Sequence, residues 1–474
     1  MARILAYTSP TPGHVFPAIG MLLELRRRGH DIHLRTQAPD VERLGALGLK
    51  VAPVDPGLEE IEFDDWRARS QIGAMRRLLS LYEQYAALEI PDVRAAIEEV
   101  RPDALIMDVQ CEGGGYVAAA SGLPWAMYCP YPPAFTSRDA PPHGLGLRPA
   151  RGQLGRARDR FWTRVGERTL APYVARRNAV RAELGLAPLG RYEDQWREAD
   201  RFIAFTAEPY EYPRSDWPPS VRLVGPGTWE PAAEPPEWLG SETRAIILVT
   251  CSTAYQRDAK LISTALEAFA GEDVALVATT AAHDRSAFTA PANARLEQFL
   301  PHGPIIARAA CVVCHGGQGI TQKALAAGVP VCVVPFCRDQ FDVARRVEVA
   351  DAGVKLHHKQ LTTKRLRSAV REAIDKRAGA QRVASAFAAA GGSSAAADAV
   401  EELFGTMGRV RLTAAVVRQS RSRLVIKTRH EAWFDERGHR TSIMGRNANK
   451  GLIVKKPVVA AVLATALACR APPS

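Results

Sequence analysis

No run of 18 apolar residues occurs in this 474-residue chain, so nothing in it reads as a membrane-spanning helix. The opening "MARILAYTSPTPGH" has too short an apolar run for a secretory signal, and a cytoplasmic protein is expected. The eight cysteines, at 111, 129, 251, 311, 314, 332, 337 and 469, lie mostly in apolar runs and form no small disulfide framework. That usage suits a reducing compartment. No GK[ST] triplet follows a glycine loop, which excludes a P-loop, and no D-x-D triplet stands out as a metal site. A repeat of solenoid period is missing too.

What is there is a composition of 47% hydrophobic and 24% charged residues, ordinary for a globular protein long enough for two domains. The net charge of +11 invites a nucleic-acid reading until it is mapped. Residues 406–474 hold 14 of the 62 Lys+Arg and 3 of the 51 Asp+Glu, leaving 48 of each sign in the first 405. The body is neutral, so nucleic acid is not expected as a partner. The tail reads as a basic, poorly ordered appendage. Its other reading is a weak anchor for an anionic membrane surface.

Short aliphatic runs alternate with helical patterns from the start. "RILAYT", "DIHLRT", "DALIMD" and "PWAMYC" read as strands, with "FPAIGMLLELRRRGH" and "EGGGYVAAASG" as helices. Such βαβ alternation implies a parallel sheet covered on both faces. It breaks at the proline- and glycine-rich stretch 224–242, read as a linker. The alternation resumes with "RAIILVTC", "VALVATT", "ACVVC" and "PVCVVPF" as strands. The expected organisation is a Rossmann-like domain over 1–223, the linker 224–242, a second Rossmann-like domain over 243–405 and the tail 406–474. In such a pair the strand ends face a shared central cleft.

The stretch "ACVVCHGGQGITQKALAAGVP" supports two chemistries. Cys311-Val-Val-Cys314-His315 spells a haem-attachment site, but on a strand the two thiols point to opposite faces. A redox pair fails on the same geometry, since it needs a helix start. The cysteines therefore read as core filler. A strand ending in His315, then Gly316-Gly317-Gln318-Gly319, then a helix, offers free N–H groups to an anion. The glycines allow a diphosphate close to the backbone; Thr321 can add a hydroxyl and His315 an imidazole N–H. On spacing alone a purely structural glycine turn fits as well.

Taken whole, "CHGGQGITQKALAAGVPVCVVPFCRDQFDVARRVEVADAGV" resembles the donor-binding signature of the family 1 glycosyltransferases, which include antibiotic glycosyltransferases of actinomycetes. "TPGHVFPAIGMLLELRRRGHDIHLRT", "VRLVGPGTWEP", "LVTCSTAYQ" and "LEQFLPHGPI" resemble further segments of that family, in its order, over about residues 1–405. The resemblance implies a GT-B fold, with the acceptor on the first domain and a nucleotide sugar on the second. It implies that His315 and the turn Gly317, Gly319, Ile320 and Thr321 hold the diphosphate with Ser252 and Thr253. Phe299, Leu300, Pro301 and His302 would line the nucleobase pocket, and Asp339 and Gln340 would bond the sugar hydroxyls. Ile320 replaces a common Ser and Lys323 a common Glu that contacts the ribose; Lys323 could instead bring positive charge to the phosphates.

Transfer to a hydroxyl needs a base. His14, in the loop after the first strand, stands at the strand end facing the cleft, and Asp108 ends the strand "DALIMD" where a carboxylate would orient it. A histidine near a helix start is also a common structural feature, but the pair matches the family's His–Asp couple. The expected activity is therefore inverting, metal-independent transfer from a UDP- or TDP-linked sugar to a small, largely apolar acceptor. No cofactor is expected, the nucleotide sugar being a co-substrate, and the protein would be a monomer or homodimer. The alternative is a catalytically silent member binding a nucleotide sugar or lipophilic ligand. An oxidoreductase is disfavoured because the first βα turn lacks the dinucleotide glycines. Segments 60–90 and 130–165 are read as loops lining the acceptor.

Overall fold

The computed structural model describes residues 1–404 except residue 69; the expectations for the tail 406–474 lie outside the described residues. The first sheet comprises β1 (Arg3–Tyr7), β2 (Asp31–Thr36), β3 (Lys50–Pro53), β4 (Ala104–Asp108), β5 (Trp125–Cys129), β6 (Arg201–Ala204) and β7 (Val221–Leu223). The second comprises β8 (Ala245–Thr250), β9 (Val274–Thr279), β10 (Ala294–Glu297), β11 (Ala309–Cys314), β12 (Val331–Val333) and β13 (Gly353–Lys355). The strand orders are β3-β2-β1-β4-β5-β6-β7 and β10-β9-β8-β11-β12-β13. Every pairing is parallel. Strands such as "ALIMD" are wholly buried because helices cover both faces.

Each sheet reverses its winding beside its first strand, between β1 and β4 and between β8 and β11. At such switch points the loops diverge and leave a crevice beyond the strand ends. Register fixes what lies there. Tyr7 pairs with Met107, so Asp108 falls beside the turn that follows β1. Thr250 pairs with Cys314, so His315 falls beside Cys251 and Ser252.

Three features depart from the sequence reading. Helices Gln71–Val100 and Gln153–Glu183 occupy much of the two segments read as loops. Ser70 caps the first of them, its hydroxyl accepting the Gly73 N–H at 3.1 Å, and Leu81, Tyr85, Val93, Ala96 and Val100 form its buried face. β13 is a sixth strand in a stretch read as helical. The helical stretch 392–404, counted by sequence with the second domain, packs under the first sheet. There Ala396, Ala397, Val400 and Leu403 meet Leu22 and Leu25 in one core. Arg28 pairs with Asp398 and Glu401 to hold it, and the Gly392 backbone passes beside Gly225 of the linker.

Helix Gln71–Val100 also presses closely on helix Glu112–Ser121. A Cβ at Gly113 would lie 2.6 Å from the Ala86 carbonyl oxygen, so only glycine fits there. The Gly113 N–H donates to Glu89 Oε2 at 2.8 Å. Burial pushes the Glu89 carboxyl up to about 8, against the opposing effect of the Gly113 and Gly114 N–H groups. The folded state thus keeps a proton that the unfolded state releases near 4.5. Its stabilising effect is full below that pH and is lost as pH rises through about 8, by at most about 1.4 kcal/mol per pH unit. Glu89→Gln preserves an acceptor without a titrating proton. Its melting temperature relative to wild type should climb from acid to mildly basic pH and then level off; a gap independent of pH would refute this account.

Candidate active site

The first crevice is built on Asp108. Its side chain is fully buried, which an ionised carboxylate tolerates only when its oxygens are bonded. Ser9 N–H donates to Oδ2 at 3.2 Å, Gln110 N–H to Oδ1 at 2.9 Å, and the Tyr128 hydroxyl lies 3.1 Å from Oδ2. Burial and the Asp108 charge hold the Tyr128 phenol well above its usual range, so it stays a donor. His14 Nδ1 completes the set at 2.9 Å. Because an ionised carboxylate only accepts, the proton of neutral His14 resides on Nδ1 and Nε2 keeps its lone pair. The backbone delivers His14 here because Pro12 starts helix Pro12–Arg27 at its first turn. The imidazole is 18% exposed, and the Tyr131 ring sits edge-on to it with centroids 5.9 Å apart.

His14 and Asp108 are thus brought together as the sequence suggested. Tyr128, Ser9 and Gln110 were missed. Tyr128 lies directly across from Asp108 in register, so the strand pairing carried that signal.

In the second crevice, Gly316 takes φ 99° and packs so closely that a Cβ would lie 2.9 Å from Val333. His315, fixed just before it, is buried, and burial lowers its pKa so that the imidazole is neutral. Gly317 caps helix Gln318–Ala326 without any side-chain oxygen, leaving first-turn N–H groups uncapped. Tyr210 donates to Gln318 Oε1 at 2.7 Å, which leaves the Gln318 amide nitrogen as its free end. His315 Nδ1, Gln318 Nε2 and Gln322 Nε2 are all buried without a protein partner. Gly319 is exposed beside them, whereas Ile320 packs on the core.

Several expected contacts are placed differently. Thr321 is fully buried, with Oγ1 3.5 Å from Cys314 Sγ beneath the turn, so its hydroxyl is not offered to an anion. Lys323 pairs with Glu230 of the linker, so its charge is already matched. Gln340 is buried: its Oε1 accepts the Phe336 and Cys337 N–H groups at 2.8 and 3.1 Å, and its amide nitrogen donates to Gln256. Asp339 opens helix Gln340–Val349, and burial raises its carboxyl.

Ser252 is buried and Thr253 exposed on the loop after β8. The Ser252 N–H donates to Asp258 Oδ2 at 2.8 Å, and Asp258 Oδ1 lies 2.6 Å from His283 Nε2. Cys251, Asp258 and His283 form the one group of three potential ion ligands found among the described residues. Both Asp258 oxygens are already engaged, by the Ser252 N–H and by His283, so the group serves the loop as a buttress. Of the residues expected to line a nucleobase pocket, Phe299 is 68% exposed, Leu300 packs on the core and Pro301 precedes helix His302–Ile306. His302 Nε2 lies 3.2 Å from Thr279 Oγ1. Burial, then the Lys323 charge, pushes its pKa down to about 4 against Glu230.

Residues 263–403 match the family model described as the erythromycin biosynthesis protein CIII-like C-terminal domain. Over 419 residues the chain is 33% identical to 4'-demethylrebeccamycin synthase of Lentzea aerocolonigenes, covering 85% of this chain and 99% of that one. The chain belongs to the antibiotic-type GT-B glycosyltransferases. Solved structures share the fold of this glycosyltransferase. The calicheamicin glycosyltransferase CalG4 matches with a TM-score of 0.66 at 22% identity, over 86% of this chain and 99% of that one. The spinosyn rhamnosyltransferase SpnG, solved with thymidine diphosphate, matches with a TM-score of 0.62 at 20% identity, over 84% and 100%.

The haem spelling in this glycosyltransferase is accounted for by burial. Cys311 and Cys314 are both fully buried and belong to the cores on opposite faces of the second sheet. Burial pushes the Cys311 thiol up to about 12. The double variant Cys311→Ser, Cys314→Ser should lose about 1–3 kcal/mol per poorly partnered hydroxyl while keeping its turnover per folded molecule. Urea titration and single-turnover assays check this; a haem absorbance in wild type, or a folded but inactive variant, would overturn it.

Proposed function

We propose that this glycosyltransferase moves a sugar, with inversion and without a metal, from a nucleoside diphosphate sugar to a hydroxyl of a small, largely apolar acceptor. The observation that carries the reading is the His14–Asp108 pair, with Nδ1 committed to a buried carboxylate so that the lone pair of the neutral ring falls on Nε2. The acceptor hydroxyl gives its proton to His14 Nε2 as its oxygen bonds to the anomeric carbon. The bond from that carbon to the diphosphate oxygen breaks on the opposite face, which inverts the centre. Asp108 stabilises the imidazolium that results. Charge on the departing diphosphate meets the uncapped turn of helix Gln318–Ala326 and the nitrogens of His315, Gln318 and Gln322. The absence of a D-x-D triplet supports departure assisted by the protein's own donors. The thymidine diphosphate of the SpnG structure supports a pyrimidine nucleotide, uridine or thymidine. Tyr131 beside His14 suits an apolar acceptor.

Base and donor sites lie on different sheets, which makes the two roles separable. His14→Ala should reduce transfer about 10²–10⁴-fold while leaving nucleoside diphosphate affinity near wild type. His315→Ala should weaken binding of the nucleoside diphosphate itself. Turnover with a panel of phenolic and polyketide acceptors, beside calorimetric binding of UDP and TDP, tests both. Near-normal transfer by His14→Ala would sink the mechanism.

A further inference from the structure

Two loops of the second sheet's half carry a backbone oddity in common. Arg338, just before Asp339 and Gln340, has φ 52°, and Arg257, just after Gln256, has φ 55°. Both lie in the left-handed region that favours glycine and disfavours a residue with a Cβ. Neither loop uses a glycine at that point. The side chains that stand there are both engaged by one short turn from the first sheet's half, Asp65–Arg67.

Asp65 is buried and receives Arg338 in a two-pronged pair, Nε to Oδ2 at 2.9 Å and Nη2 to Oδ1 at 2.5 Å. Trp66, the next residue, meets the Tyr255 ring edge-on at 4.9 Å and lies under the Arg257 guanidinium at 5.0 Å. Tyr255 and Arg257 flank Gln256, whose side-chain oxygen accepts from the Gln340 amide and from Cys337 Sγ at 3.3 Å. One turn therefore grips both loops, and the loops are tied to each other through Gln256 and Gln340.

We infer that Asp65 and Trp66 are positioning residues for the donor sugar: by clamping Arg338 and Arg257 they set the Gln256–Gln340 pair against which the sugar is read. The inference rests on the proposed donor reading, with the sugar beside Asp339 and Gln340 as the family resemblance implies. It adds Gln256 as the partner whose amide fixes the orientation of Gln340. Gln340 must exchange an inward bond for a sugar hydroxyl, and the clamp keeps that exchange confined to the side chain. The nucleotide half of the donor is held elsewhere, at His315 and helix Gln318–Ala326. The clamp is therefore felt only by ligands that carry a sugar.

The test compares wild type, Asp65→Ala, Arg338→Gly and their double variant. Glycine at 338 suits φ 52° better than arginine, so a role limited to the turn predicts no loss in Arg338→Gly. Calorimetry with UDP and TDP, and with a panel of UDP- and TDP-hexoses, separates nucleotide from sugar recognition. Each single variant should keep bare-nucleotide affinity within about twofold and lose about fivefold or more in affinity for the hexose-bearing nucleotide, with the double no worse than either single. If all variants bind the hexose nucleotides as wild type does, or if the two losses multiply, the clamp inference is overturned and the donor reading stands. If wild type binds no hexose nucleotide of the panel, the donor reading falls and takes the clamp with it. Loss of bare-nucleotide affinity in equal measure would show a general collapse of the site and would also overturn the inference.

Discussion

A carboxylate placed where no water reaches it dictates the arrangement of the first crevice. Asp108 needs donors for both oxygens, and it draws them from four directions: the turn after β1, its own loop, a neighbouring strand and the first helix. Removing any one leaves part of a buried charge unmatched, which costs more than a surface hydrogen bond would. The same requirement fixes the tautomer of His14, so structural need and chemical readiness arise from one set of bonds.

The second crevice is organised by the opposite condition. Around His315 it is the donors, on Gln318 and Gln322 and at the helix start, that lack partners in the protein. A site short of acceptors at one switch point and a site saturated with donors at the other form a complementary pair. One suits taking a proton; the other suits receiving negative charge.

The parallel sheets were legible because local pattern carries them, and the meeting of His14 with Asp108 because two strand ends and the family resemblance pointed to it. Strand runs, glycine turns and chain order act over short stretches. Thr321 and Gln340 show where that legibility ends. Both lie in the segments the resemblance pointed to, yet Thr321 lies beneath the turn and the Gln340 amide is engaged by Phe336, Cys337 and Gln256. Thr321 is turned inward toward Cys314 by the helix it stands on, and the Gln340 amide is completed by Gln256, 84 positions away, which no local motif encodes. The matching of Lys323 by Glu230 is of the same kind, since the two are 93 positions apart. The long helices were missed because their buried faces complete themselves only against other helices, as Gly113 does against Ala86.

The return of the chain at 392–404 has a mechanical consequence. The polypeptide leaves the first sheet's half through Gly225 and comes back through Gly392, and the two crossings run side by side. Both glycines have positive φ, 83° and 55°, so each crossing bends where a side chain would resist. A single tether would let one half swivel freely about the other. Two adjacent tethers act as a door hinge with two leaves: twisting one strand requires the other to follow, and torsion about the connecting axis is suppressed. The two crossings thus give both halves one shared line of attachment, and the Asp65–Arg338 pair ties the same halves at a second place.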